Sequence, residues 1–303
     1  MVVTVSFCYE DGVDEKTLKT DSKHLKLLKT KSVEELERVA EGVDLGVKVM
    51  VQTTKGKYDY SDIAKQRLVS LEKKRKRYQR WMARQIKTSN RRKKTKSKIS
   101  KTYIKQAEIR HDFCHKTSRK LVDQENISVL VFENLKIKNM TRKPKAKQDE
   151  HGRWLKNKAK AKAGLNKAIL SKGWYKLVLF STYKAKRENK VVFKVSPHYT
   201  SQECADCGHT QPENRETQAS FVCCSCGHAE NADLNAAKVI KKRAINLIKH
   251  SGTELSKTGV LINPDIGHGD TVKSLEGKPT KARIKKPRNR KELSKKKELV
   301  VCV

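Results

Sequence analysis

Four cysteines in two closely spaced pairs carry the clearest chemistry in this sequence: Cys204-Ala205-Asp206-Cys207-Gly208 and Cys223-Cys224-Ser225-Cys226-Gly227. Two residues separate the thiols of each pair, so one tight turn presents both sulfurs to one ion. Gly208 and Gly227 supply the backbone freedom such a turn needs. The 15 residues from 208 to 222 are enough chain to bring the second pair back. Four thiolates in a tetrahedron select Zn²⁺ and close its shell, which makes the site structural rather than catalytic. Cys224 could replace Cys223, but Cys223 preserves the two-residue gap. His209 and His228 read as bystanders.

Three acids form the second candidate. Asp44 lies inside Val43-Asp44-Leu45-Gly46-Val47, and Glu133 ends Val129-Leu130-Val131-Phe132. A carboxylate beside a buried strand is costly unless a cation compensates it. Asp233 sits in Asn231-Ala232-Asp233-Leu234-Asn235-Ala236-Ala237, on the apolar face of a helix's first turn. Each has an ordinary reading when taken alone, and Asp233 could simply cap its helix. Together, on two strand ends and one helix start, they suit a set of oxygen ligands for Mg²⁺. Two such ions clamp the attacking and leaving oxygens in phosphodiester cleavage. No nucleophile–His triad, Gly-rich phosphate loop or paired-His motif competes.

Positioning these groups takes strands and helices whose patterns are legible. Val3, Val5, Phe7 and Tyr9 alternate with polar residues as a half-buried strand does. Lys16–Ala40 is polar, with a short helical piece near Val33–Val39. Val43–Val51 reads as a β-rich segment, with a turn at Lys55-Gly56 and a return over Lys57–Tyr60. From 62 to about 124 the chain is strongly basic. Leu68, Leu71, Tyr78, Met82 and Ile86 make one apolar stripe, and Tyr103, Ala107, Cys114, Thr117 and Leu121 make a second. Ser89-Asn90 breaks the pattern, so a helical hairpin is expected. Val129–Phe132 is a buried strand, 136–163 a Lys-rich loop, and 165–179 a helix interrupted at Gly173. Val191–Val195 is another strand, and Ala232–Lys249 a helix. Residues 278–298, with Pro279 and Pro287 among lysines and arginines, read as a disordered basic tail.

Charge narrows the function further. Of 303 residues 70 are Lys or Arg against 33 Asp or Glu, a formal net charge of +37. Such a surplus repels itself unless an anionic partner neutralises it, and nucleic acid does so by counterion release. No run approaches the ~18 apolar residues of a spanning helix. The first residues lack a basic n-region, a long apolar core and a cleavage site. A secreted protein, a membrane protein and a simple acidic-partner enzyme are thereby set aside.

In their order, the three acid-bearing segments resemble the three RuvC motifs of TnpB, the transposon-encoded family related to type V CRISPR nucleases. Tyr199–Gly208 resembles that family's entry into its zinc ribbon, and Leu165–Leu170 and Tyr183-Lys184-Ala185 resemble further family segments. The resemblance covers roughly residues 1 to 275. It implies an α/β fold: an RNase H-like (RuvC) mixed sheet with a basic helical-hairpin insert and an inserted four-cysteine zinc ribbon. It implies Mg²⁺-dependent, RNA-guided DNA cleavage beside a short transposon-adjacent motif, in a prokaryotic cytoplasm. Asp44, Glu133 and Asp233 match the catalytic, Mg²⁺-holding acids, and Cys204, Cys207, Cys223 and Cys226 match the zinc ligands. DNA target and guide RNA are the implied partners, with no membrane. The expected division is 1–42, a remnant of an N-terminal wedge-like β domain plus linker; 43–200, the nuclease domain, with 62–124 as hairpin insert; 201–228, the ribbon; 229–250, the helix with the third acid; and 251–303, a basic tail. Only 43 residues precede Asp44, where family members usually carry a much longer segment, so the chain reads as N-terminally shortened. The rival readings are a non-cleaving guided or non-specific binding protein, a strand-transfer transposase, and an inactive fragment.

Overall fold

Two runs rich in β-branched and aromatic residues, and a third segment that is not, become neighbouring parallel strands, and everything else is arranged around them. The computed structural model describes residues 21–264. In chain order the elements are α1 (Asp21–Thr30), α2 (Val33–Val39), β1 (Ala40–Asp44), β2 (Val51–Thr53), β3 (Lys57–Tyr58), α3 (Asp62–Ala83), α4 (Asn90–Val122) and β4 (Val129–Glu133). There follow α5 (Ile137–Met140), β5 (Lys147–Gln148), β6 (Trp154–Leu155), α6 (Ala159–Leu170), α7 (Trp174–Arg187) and β7 (Val191–Val195). Last come β8 (Ser220–Val222), β9 (Ala229–Asn231), α8 (Ala232–Lys249), β10 (Glu254–Leu255) and β11 (Leu261–Ile262).

The main sheet has the order β3-β2-β1-β4-β7. β1, β4 and β7 run parallel, with Val43 opposite Phe132 and Glu133 opposite Val195, while β2 is antiparallel to β1. The sheet is therefore mixed. Both faces are covered, which is why β4 is apolar at consecutive positions instead of alternating. Leu130 and Phe132 pack with Cys114, Leu121 and Leu177 of α4 and α7. Val129 and Val131 pack on the other side with Ile240, Ala244 and Ile248 of α8 and with Leu25, Leu28 and Leu36.

Several expectations change. The linker expected up to residue 42 holds α1 as well as the expected helix over Val33–Val39, α2; Leu25, Leu28 and Leu36 of the two belong to the second core, and β1 starts at Ala40 rather than Val43. The β-rich segment over 43–51 is split, because the chain leaves the sheet between Asp44 and Val51. The expected loop over 136–163 contains α5, the β5–β6 hairpin and the start of α6. The hairpin itself is there, and Ser89 caps α4 by accepting from Arg92 N at 3.2 Å. Its first stripe is shallower than expected: α3 buries no side chain fully, and Ile86 lies beyond it and is 76 % exposed; the second is buried at Cys114, Thr117 and Leu121, though Tyr103 is 47 % exposed. Gly173 adopts φ +76°, a left-handed conformation that stops α6–α7 from being one helix. Within the expected tail, β10 and β11 pair with each other, and Lys194 N donates to Gly259 O at 2.8 Å. The expected strand at 3–9 and the basic stretch at 278–298 lie outside the described residues.

One glycine explains why α8 lies flat against the sheet. A Cβ at Gly42 would stand 2.0 Å from Ala237 O and 2.9 Å from Lys241 N, both α8 backbone atoms. Backbone cannot swing aside as a long side chain can. Gly42→Ala must push β1 and α8 apart, and overpacking of this kind costs about 1–3 kcal/mol or more. A lowered urea midpoint with an unchanged m-value is the expected result.

Candidate active site and metal centre

The acids come from three places in the chain and meet at one end of the sheet. Asp44 and Glu133 are the last residues of the parallel neighbours β1 and β4, so they stand at the same end of the sheet. Asp233 is the second residue of α8. It does not cap that helix: Asn231 does, accepting from Asp233 N at 3.0 Å and Leu234 N at 3.3 Å. The Asp233 carboxylate is thereby left for other work. All three acids line one cleft of about 590 Å³, together with Lys48, Asn134 and Arg215.

Electrostatics mark the spot. Burial, then the neighbouring charges of Glu133 and Asp233, push the Asp44 carboxyl up to about 8, although the Leu45 amide and Arg215 oppose the shift. Burial also raises Glu133, against the Thr200 hydroxyl and the Arg243 guanidinium. Three carboxylates sharing a low-dielectric cleft repel one another, and perturbed acids grouped in a cleft are a hallmark of functional sites. Hard oxygen donors that gain from a cation fit Mg²⁺. Sequence reasoning missed two contacts here. Thr200 Oγ1 donates to Glu133. Arg215 Nη2 donates to Asp233 Oδ1 at 3.5 Å and to Gln218 O at 3.1 Å. Neither residue sits in a recognisable spacing; only the fold brings them in.

Arg215 arrives from the cysteine segment. Cys204, Cys207, Cys223 and Cys226 place their sulfurs within 4.8 Å of one another, and among the described residues no other group of three or more such ligands does so. Cys204 and Cys226 sulfurs are 3.7 Å apart, and Cys207 and Cys223 sulfurs 3.6 Å apart. These separations are far beyond a disulfide. They match the edge of about 3.8 Å that a tetrahedron with ~2.3 Å Zn–S bonds requires. The two turns have the same form: Gly208 N bonds Cys204 O at 3.0 Å, and Gly227 N bonds Cys223 O at 3.0 Å. Gly208 and Gly227 take φ +77° and +73°. Burial acts to raise the Cys223 thiol, but amides of Cys226 and Ser225 outweigh it and bring the group down to about 6. Those amides favour the thiolate that binds metal. Cys224 is exposed and outside the set.

The segment is tied to both ends of the acid site. Buried Asn214 donates to Gln202 O and His209 O and accepts from Cys224 N at 3.0 Å, joining the two turns. Asn235, one turn into α8, donates to Glu203 O at 2.7 Å and accepts from Ala205 N at 2.9 Å. Arg243, farther along α8, pairs with Glu203 and donates to Ser196 O and His198 O.

Residues 6–144 match a family model described as a probable transposase, OrfB of IS605, and residues 174–240 match a Cas12f1-like TNB domain. The "Putative RNA-guided DNA endonuclease InsQ" of Escherichia coli (strain K12) is 40 % identical over 169 residues, 56 % of this chain and 40 % of that protein. The CRISPR-associated endodeoxyribonuclease Cas12f1 of Sulfoacidibacillus thermotolerans is 45 % identical over 67 residues, 22 % of this chain and 16 % of that protein. The chain thus spans at most 40 % of the length of these two relatives. A cryo-EM structure of a Cas12f1–sgRNA–target DNA complex superposes with a TM-score of 0.45 and 21 % identity, covering 67 % of this chain and 50 % of that one.

Proposed function

We propose that this TnpB-like chain, a relative of the IS605 probable transposases and of Cas12f1-like proteins, is an Mg²⁺-dependent, RNA-guided DNA endonuclease. The observation that carries the proposal is the meeting of Asp44, Glu133 and Asp233 in one cleft, with Asp44 raised by burial and by its neighbours. In this reading the mixed sheet, from β1 to β7, is an RNase H-like (RuvC) nuclease sheet, completed by α8. Residues 201–228 are its four-cysteine zinc ribbon.

When bound, Mg²⁺ supplies positive charge to the phosphate oxygens and makes water a better nucleophile. The chain's own part is to hold that charge and to place the strand. Asp44 and Glu133, fixed on paired strands, keep a constant separation. Thr200 orients Glu133 by hydrogen bonding to it. Asp233 completes the set from the helix, and Arg215 stands where an incoming phosphate would meet it. The sequence of the target is left to base pairing with a guide, so the protein needs only to follow the backbone. The basic α3–α4 hairpin suits that task. Among the described residues no helix is long and apolar enough to cross a membrane.

The test is cleavage. The chain is co-expressed with the RNA of its own locus, and the purified complex is given Mg²⁺ and a plasmid library with randomised flanks. Breaks at guide-matched sites beside one enriched flank are expected. RNA and DNA held without breaks would replace the endonuclease by a guided binding protein.

A second expectation concerns salt. A surface that neutralises 6–10 phosphates loses roughly 10³–10⁵ in affinity between 50 and 200 mM salt. Binding of duplex DNA should fall that steeply when followed by fluorescence anisotropy. A flat profile would mean that the basic surface is not the binding surface.

A further inference from the structure

A second cleft is larger than the one with the acids. It measures about 1340 Å³ and lies between the α3–α4 hairpin and α6. Its floor is apolar: Leu68, Val69 and Leu170 line it, and Val69 and Leu170 are 54 % and 62 % exposed. Its rim is basic, with Lys65, Lys73, Arg110 and Lys143. The acids within it are already engaged, Asp59 by Lys65 at 2.8 Å and Glu72 by Arg75 and Lys167. Tyr103 presents a half-open ring there, with the Arg75 guanidinium 4.5 Å from its centre.

The cleft also leads to the acids: Lys48 lines both clefts, and the adjoining Met140 and Thr141 line one each.

We propose that this cleft holds an unpaired stretch of the DNA strand on its way to the carboxylates, with bases against the apolar floor and Tyr103, and phosphates on the lysine rim. A duplex hides its base faces and would leave the floor uncovered. A single strand covers it, because every base has a face that stacks on an aromatic ring. The choice of DNA rests on the nuclease reading; the cleft chemistry does not.

The test therefore measures binding, not cutting. The 303-residue chain carrying Asp44→Asn is titrated with a labelled oligothymidylate and, separately, with a duplex. Tyr103→Ala should weaken the single strand about ten-fold, within the range of one lost stacking contact, and leave the duplex within about two-fold. Tyr103→Phe should restore binding. Lys73→Glu, on an exposed side chain, should weaken the single strand even if Tyr103→Ala folds poorly. An oligomer with 4-thiothymidine should photo-crosslink to α3, α4 or α6. Equal losses for single strand and duplex, or crosslinks only outside these helices, would overturn the assignment. So would preferential capture of oligouridylate in the same cleft, which would make it a guide site. Cleft binding in a chain that never cuts would unseat the nuclease reading alone. Normal guided cutting with no cleft effect would unseat this inference alone.

Discussion

Asp44→Asn should reduce guided cleavage by on the order of 10³-fold or more, since even one misplaced electrostatic group costs ~10²–10³ in rate. The substitution keeps volume and removes one charge, so affinity for guide and DNA should stay within about two-fold. Cleavage equal to the parent chain would remove Asp44 from the site. The same substitution reports on stability. Folding raises the Asp44 carboxyl from its ordinary value to about 8 through burial and the charges of Glu133 and Asp233. The folded chain therefore binds more protons than the unfolded one between pH ~4 and about 8, and stability from this group falls as pH rises through that window. In Mg²⁺-free buffer that retains zinc, the parent should lose thermal stability over that range. Asp44→Asn should flatten the slope, and added Mg²⁺ should flatten it in the parent. A parent whose melting temperature rises steadily from pH 5 to 8 without Mg²⁺ would contradict the three-acid repulsion.

The second large effect concerns zinc. Metal analysis of protein purified under reducing, chelator-free conditions should find one zinc per chain, and Cys223→Ser should lose it. Structural zinc binding is worth about 10–16 kcal/mol in small domains, comparable with or larger than the ~5–15 kcal/mol that holds a whole domain folded. The ribbon should therefore lose its order, while the sheet, whose two cores contain none of the four sulfurs, keeps its far-UV circular dichroism. Cleavage should be lost with the ribbon, because the segment delivers Arg215 to Asp233 and braces α8 through Asn235 and Arg243. Full zinc content in Cys223→Ser would give the fourth place to another ligand, with neighbouring Cys224 the first to examine.

The parts of this molecule that were legible in the sequence share a physical reason. Strands β4 and β7 are buried on both faces, so runs of β-branched and aromatic positions betray them. Helix α8 begins at an Asn cap and repeats its apolar residues at helical steps, and its ends match the expectation. The two-residue gaps between cysteines are local, so sequence distance stands in for space. What failed was shallow or long-range. Helix α3 rests on the body through half-buried residues only, and its stripe gave no measure of depth. Helix α1 is polar outside and buries only Leu25 and Leu28, a signal easily taken for a linker. Thr200, Arg215 and Asn214 act through folding that brings distant segments together, and nothing in their immediate neighbours announces it.

The pairing of β1 sets an order of assembly. On one side it meets β2 across a short hairpin connection, and on the other it meets β4, with partners roughly ninety residues apart. Closing a long loop costs more entropy than closing a short one, and pairings between distant segments tend to come late. The intervening chain is the basic hairpin, whose contacts are local and fast to form. If the chain is the guided nuclease proposed above, one leaving the ribosome would thus form its basic hairpin before Asp44 and Glu133 stand side by side. Cutting would then have to wait for the last strand pairings and the closing of α8 over them.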